Sequence, residues 1–317
     1  MNRLAAVVGH FNFSGSRNRY ACFRRFSAEM VRQGIDVWIA EAVRPGVTPE
    51  HFGDRVFHFD ALDILWHKER LINLAVERLP DEYDSVAWID ADILWPWHYD
   101  TLQADILDML ERWPIIQLWE TALFLDAADL PMEWPSKKTT TQSMAAHNRW
   151  NVVKDADPRY SHPGFGWAAR REVLQQIGGL FDSDPCGGED TLHCTAWFGH
   201  FDTGYFIRHN SKMKEHTLKW VRKAYEVVAG KVGFLPQQIR HLYHGNLANR
   251  QYWDRVVWIQ SHGFDPERHL IREPGQLYRW SEECPQEIVD WMAEYLVGRR
   301  REDDVIGRPN AAVLTGG

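Results

Sequence analysis

Short apolar runs bounded by charge alternate with longer stretches of helical apolar spacing through the first part of the chain. Leu4 to Val8 reads as a first buried strand. Tyr20 to Gln33 carries apolar residues at Phe23, Phe26 and Met30, a helical spacing, and Gly34 is placed to stop it. Asp36 to Ala40 predicts a second strand. Residues 41–65 are rich in loop formers, with room for a short strand at Val56 to Phe59, and Trp66 to Leu79 is helical again, ended by Pro80. Val86, Ala87, Trp88 and Ile89 then form an apolar run expected of a strand buried on both faces. Strand, helix, strand, helix, strand is the pattern of a doubly wound, mostly parallel α/β sheet.

The pattern continues with a helix over Asp100 to Arg112 and a strand over Ile115 to Trp119. Residues 126–160 hold Pro, Lys, Thr, Asn and Asp with little periodicity, a kind of long loop that is usually functional or mobile. Arg171 to Ile177 predicts a short helix closed by Gly178-Gly179. Cys186-Gly187-Gly188 reads as a tight turn delivering Glu189 and Asp190, and Asp190 to Phe198 as a helix. Gln286 to Val297 predicts one more helix, followed by a charged stretch and an expected disordered tail ending LTGG. The expected division is 1–270 for the main domain, with 1–100 as nucleotide-binding half and 101–270 as acceptor half, and 271–317 for the C-terminal helix and tail.

Two carboxylates, Asp90 and Asp92, stand directly after the run 86–89. In an open parallel sheet the carboxyl ends of the strands are where ligands bind. A pair of carboxylates there suits an oxygen-seeking Mg²⁺ or Mn²⁺ that shares its other positions with water and substrate phosphates. The plain alternative is a polar strand end whose aspartates begin a turn. The polar loop Gly9 to Asn18 suits either a nucleotide or a simple connection. Gly164 and Gly166 allow a ligand to approach the backbone closely.

Composition changes the picture in three places. Sixteen Trp residues are unusual, and beyond the core such rings stack on sugars and bases. A formal charge of −8 argues against a general nucleic-acid coat. Yet residues 211–240 carry seven Lys or Arg against Glu215 and Glu226, which reads either as a solvated helix face or as a contact for a phosphate-bearing acceptor. Cys22, Cys186, Cys194 and Cys284 lack zinc or disulfide spacing, so reduced thiols in a cytoplasmic protein are expected. No apolar run approaches the ~20 residues that cross a bilayer, and Leu4 to Val8 is too short for a signal peptide.

Four segments in one order resemble a glycosyltransferase of the GT-A fold, of the beta-1,4-galactosyltransferase type with its bacterial and phage relatives. Trp66-His67-Lys68-Glu69-Arg70-Leu71-Ile72-Asn73 matches the segment that holds the uracil of a UDP-sugar, with Trp66 at the stacking position and Lys68 at the basic one. Trp88-Ile89-Asp90-Ala91-Asp92 matches the D-x-D strand, which would make Asp92 the direct metal ligand. Gly164-Phe165-Gly166 resembles the donor-sugar glycines, and Gly187-Gly188-Glu189-Asp190 the segment that holds the acceptor and supplies the base. His244 of HLYHG fits a further metal ligand, with His241 a weaker candidate. The likeness covers roughly residues 1–260. Cys186 stands where the family has Trp, and Thr191 where it often has another acid; both departures lie at the acceptor site and put the family's usual GlcNAc acceptor in doubt.

The resemblance implies transfer of a sugar from a UDP-sugar to an acceptor hydroxyl, with inversion at the anomeric carbon. Mn²⁺ or Mg²⁺ would be held by Asp90, Asp92 and His244, and would stabilise the diphosphate leaving group. Arg250 would clamp phosphate, Asp190 would act as general base, and Glu189 would hold acceptor hydroxyls. His244 as a satisfied core histidine, and Glu189 as a carboxylate on a helix dipole, are the plainer readings of those residues. The acceptor is either a glycan or a hydroxymethylated base in DNA. A nucleotidyltransferase on a similar sheet, or a carbohydrate-binding module using the aromatics alone, is compatible with the same sequence.

Overall fold

The computed structural model describes residues 3–50, 52–132, 139–150, 161–200, 209–245, 250–251 and 254–299. Its main sheet has seven strands among the described residues. These are β1 (Leu4–His10), β2 (Asp36–Val43), β3 (Val56–Asp60), β4 (Ser85–Ile89), β6 (Ile115–Gln117), β10 (Gly166–Arg170) and β11 (Val232–Phe234), in the order β11-β6-β10-β4-β1-β2-β3. Only β10 runs antiparallel to its neighbours. The chain moves outward from β1 to β3 and then returns to β4 on the other side of β1. The carboxyl ends of β1 and β4 therefore flank a switch point, the place where open α/β sheets bind their ligands.

Helices cover both faces. On one side lie α1 (Arg17–Arg32) and α3 (Leu102–Arg112), whose Phe23, Phe26, Met30, Leu102, Ile106 and Leu110 pack with Ala87 and Ile89 of β4. On the other lie α2 (Lys68–Arg78), α5 (Arg171–Ile177) and α6 (Glu189–Phe198), packing with Val86 and Trp88. All five residues of β4 are buried, because alternate side chains serve the two layers. The Rossmann-like, mostly parallel α/β sheet expected from the sequence is present.

A second sheet, β5-β12-β7-β8-β9, is assembled from β5 (Ile93–Leu94), β7 (Thr121–Phe124), β8 (Thr140–Ser143), β9 (Ser161–His162) and β12 (Gln238–His241). One of its strands, β8, falls where the sequence predicts an irregular loop. The polar run Thr140 to Ser143 has no apolar alternation, and its strand character comes from backbone pairing with β7 and β9. α4 (Met144–Trp150) follows it. The predicted strand over Ile115 to Trp119 ends earlier, at Gln117, while the first helix begins at Arg17, ahead of Tyr20.

The basic segment forms α7 (Ser211–Val228), which buries Met213, Thr217, Val221, Ala224 and Val228 and leaves Lys212, Lys219, Arg222 and Lys223 exposed. Beyond it come α8 (Asp254–Ser261), α9 (Pro266–His269), the hairpin strands β13 (Leu270–Ile271) and β14 (Arg279–Trp280), and α10 (Gln286–Gly298). Ile288, Met292, Tyr295 and Leu296 of α10 join the same core as α2 and α6. All four cysteines are free and buried. No helix among the described residues is long and apolar enough to cross a membrane. The expected tail ending LTGG lies outside the described residues.

Candidate active site

The site forms where the main sheet hands over to the second one. The Asp90 backbone N–H donates to the Phe165 carbonyl at 2.7 Å, tying the end of β4 to the turn before β10. Three residues later β5 pairs antiparallel with β12, with Ile93 opposite His241, and Leu242 N–H donates to the Asp92 carbonyl at 2.7 Å. This register carries Asp92 to the end of β12. There His244 Nε2 lies 2.9 Å and His241 Nε2 3.8 Å from Asp92 Oδ2.

Asp92, His241 and His244 can each offer one ligand atom, and these atoms lie within 4.8 Å of one another. Asp92 Oδ1 is buried without a hydrogen-bond partner. Burial pushes the Asp92 carboxyl up, but His241, His244 and Arg250 more than offset it and hold it well below the usual range. Burial pulls His241 down to about 3 despite Asp92, so its imidazole is neutral and has a lone pair to give. One anionic oxygen with an unsatisfied partner and imidazole nitrogens beside it is a donor set that fits Mn²⁺ or a similar divalent ion. The Arg250 guanidinium sits against both ring nitrogens of His244.

Asp90, expected beside Asp92 as a metal ligand, lies outside this group of three. Its Oδ1 lies 2.8 Å from Lys68 Nζ in the first turn of α2. Burial is the main reason the Asp90 carboxyl rises to about 6, with Lys68 pulling the other way. Because the peptide between Asp90 and Asp92 turns from one sheet into the other, the two side chains serve different neighbours. His241, the weaker candidate in the sequence, lies with Asp92 and His244 in the group of three.

The start of α6 supplies the opposite wall. Gly188 holds its N-cap in the left-handed region, at φ 119°, so Glu189 and Asp190 enter the first turn. Both oxygens of Asp190 lie 3.4 Å from Lys68 Nζ. Burial raises the Asp190 carboxyl, and Lys68, His193 and His162 together lower it below its ordinary value, keeping it ionised. A Cβ on Gly164 would stand 2.8 Å from Asp190 Oδ2, so that glycine is required by the close approach. Gly166 lies inside β10, where a Cβ would meet Leu118, Ile89 and Ile93 at ordinary distances of 3.5 to 3.6 Å. Glu189 is 1% exposed and neither of its oxygens has a hydrogen-bond partner. Burial first, then Glu69 and Asp184, push it well above the carboxylate range, so it is a neutral acid.

Trp66 and Asn73 have structural partners. The Trp66 indole N–H donates to Glu69 Oε2 at 3.0 Å. Its ring is surrounded by Phe11, Arg255, Arg299 and Gly187, whose Cβ would stand 2.7 Å from the indole. Asn73 donates to the Leu180 carbonyl and Asp182 Oδ2, and accepts from Leu180 N–H, which pins the loop leading to α6 onto α2.

Sequence reading assigned no role to His162, Phe165 or Glu69. Phe165 holds φ 78°, a conformation rare for a residue with a side chain, and its ring stacks on His162 with centroids 4.0 Å apart. Burial lowers His162 to about 4, and its Nδ1 accepts from Gly164 N–H. Glu69 is buried and raised to about 8, chiefly by burial. The only sequence signal for the strained Phe165 was its place between two glycines.

No protein-family model matches the chain, and no curated protein does. Among solved structures the chain is similar to the catalytic domain of Drosophila beta1,4galactosyltransferase 7 in complex with xylobiose, at 15% identity, covering 92% of this chain and 99% of that one with a TM-score of 0.38. It is also similar to glucosyl-3-phosphoglycerate synthase from Mycobacterium tuberculosis in complex with Mn²⁺, UDP-glucose and phosphoglyceric acid, at 12% identity, 89% and 88% coverage and a TM-score of 0.42. A glycosyltransferase involved in glycosylation of the major capsid of PBCV-1 is 12% identical over 81% of this chain and 99% of its own, with a TM-score of 0.33.

Proposed function

We propose that the chain is a divalent-metal-dependent, inverting glycosyltransferase that moves a sugar from a UDP-sugar to an acceptor hydroxyl. The observation that carries this reading is the Asp92, His241 and His244 cluster at the switch point of the sheet, with the ionised Asp190 on the facing helix. A bound Mn²⁺ or Mg²⁺ would act as Lewis acid on the diphosphate leaving group. Arg250, beside His244, adds positive charge toward the same phosphates. Asp190 accepts the proton of the acceptor hydroxyl as its oxygen bonds to the anomeric carbon and the bond from that carbon to the diphosphate oxygen breaks. Attack opposite the leaving group inverts the centre. Glu189, a neutral acid with unpaired oxygens, would hydrogen-bond the acceptor. The test is UDP release from a panel of UDP-sugars with Mn²⁺ and with EDTA. Metal-dependent release supports the reading, whereas pyrophosphate release from nucleoside triphosphates would replace it with a nucleotidyltransferase.

For the acceptor, the aromatic content favours a glycan. The exposed cations of α7, for which the described residues show no salt bridge, favour a polyanion such as DNA bearing a hydroxymethylated base. Acceptor binding that weakens steeply with salt selects DNA, and a flat salt response selects the glycan.

A further inference from the structure

We propose that Lys68 is a positioning residue for Asp190, holding the base in place, instead of a contact to the donor's uracil. The assignment rests on the glycosyltransferase reading and deepens it. The Lys68 ammonium lies 2.8 Å from Asp90 Oδ1 and 3.4 Å from each oxygen of Asp190, so it bridges the end of β4 and the start of α6. Its side chain is 15% exposed. An ammonium has three protons to donate, and here they face two carboxylates, one at the end of β4 and one at the start of α6. An amine engaged this way is poorly placed to serve a base carbonyl.

The backbone beneath Lys68 is fixed as well. A Cβ on Gly9 of β1 would stand 2.9 Å from the Lys68 carbonyl oxygen, so the first turn of α2 rests directly on the strand. Asp190 is held from the other side by Gly164. Removing the ammonium would leave two carboxylates, Asp90 and Asp190, facing each other without a counter-charge. Asp190 would then swing from its place, while the Asp92, His241 and His244 cluster would keep its partners.

The experiment compares wild type, Lys68→Arg, Lys68→Met, Asp190→Asn and the Lys68→Met/Asp190→Asn double variant. Two quantities are read: UDP affinity with Mn²⁺, and kcat and KM for UDP release from UDP-galactose and UDP-glucose with water as acceptor. Lys68→Met is expected to keep UDP affinity near wild type and to lose kcat on the order of 100-fold, the scale of a displaced general base. Lys68→Arg should recover part of that loss. In the double variant, Lys68→Met should add little to Asp190→Asn, because both remove the same function. The double variant keeps the question open to test even where Lys68→Met alone folds poorly. Loss of UDP affinity in step with kcat, or multiplicative losses in the double variant, would overturn the assignment while leaving the glycosyltransferase reading intact. Failure of the wild-type chain to bind UDP would overturn both.

Discussion

Gly164 and Asp190 are packed so closely that a methyl group on the glycine would lie 2.8 Å from the carboxylate Oδ2. Gly164→Ala therefore moves Asp190, and a shift of about 1 Å at a reacting group can cost roughly 100-fold in rate. Turnover should fall by that order while the melting temperature changes little. Gly166→Ala, whose methyl meets no atom closer than 3.5 Å, should cost less. UDP-release kinetics beside thermal melts check both.

His241→Ala and His244→Ala should each weaken the response to Mn²⁺. A ligand that binds only the folded chain raises its stability by about 2.7 kcal/mol at a hundredfold excess over Kd. Removing one of three donors should take away most of that gain at the same metal concentration. Thermal shift with and without Mn²⁺ measures it. An unchanged shift in His241→Ala would remove that residue from the donor set.

The early strands and helices were legible because their apolar periods are set by two-sided burial. Phe23, Phe26 and Met30, and the run Val86 to Ile89, point into cores that the helical and strand repeats already imply. The second sheet was not legible. Thr140 to Ser143 is a strand only through pairing with distant β7 and β9. In the candidate site, Asp92, His244 and Asp190 are residues that both the sequence and the proposed reading name. The division of labour between Asp90 and Asp92 was not legible, because it depends on where Lys68 and β12 arrive in space.

Buried neutral histidines weaken the fold in acid, against buried acids such as Glu69 and Asp90 whose raised carboxyls strengthen it there, so each contribution is read residue by residue. His67, packed under Phe11 and Phe13 with Arg70 nearby, is lowered to about 4 by burial, and His10 to about 3. Between pH 6.5 and those values the unfolded chain binds protons that the folded chain refuses, so their contribution to stability falls as pH falls. For His67 the loss between pH 6.5 and 4 is on the order of 3 kcal/mol. Denaturant unfolding of wild type and His67→Gln at pH 7.5 and 4.5 isolates this contribution: on going to acid the variant should fare better than wild type by that order.

Gly187 holds φ 80° against the Trp66 ring. Gly187→Ala combines a disfavoured backbone with a methyl 2.7 Å from the indole. A residue forced into such a conformation costs about 1–3 kcal/mol, to which the clash adds. Trp66→Ala should relieve the steric part only, a coupling that a double-mutant cycle in urea would read.

The most direct measurement is UDP binding to wild type and to Asp92→Asn, with Mn²⁺ and with EDTA, followed by thermal shift. The account predicts a shift in wild type that needs Mn²⁺ and that Asp92→Asn abolishes. A UDP shift that is the same in EDTA and in Asp92→Asn, or no shift in any condition, would contradict it and leave Asp90-Ala91-Asp92 as a polar strand end.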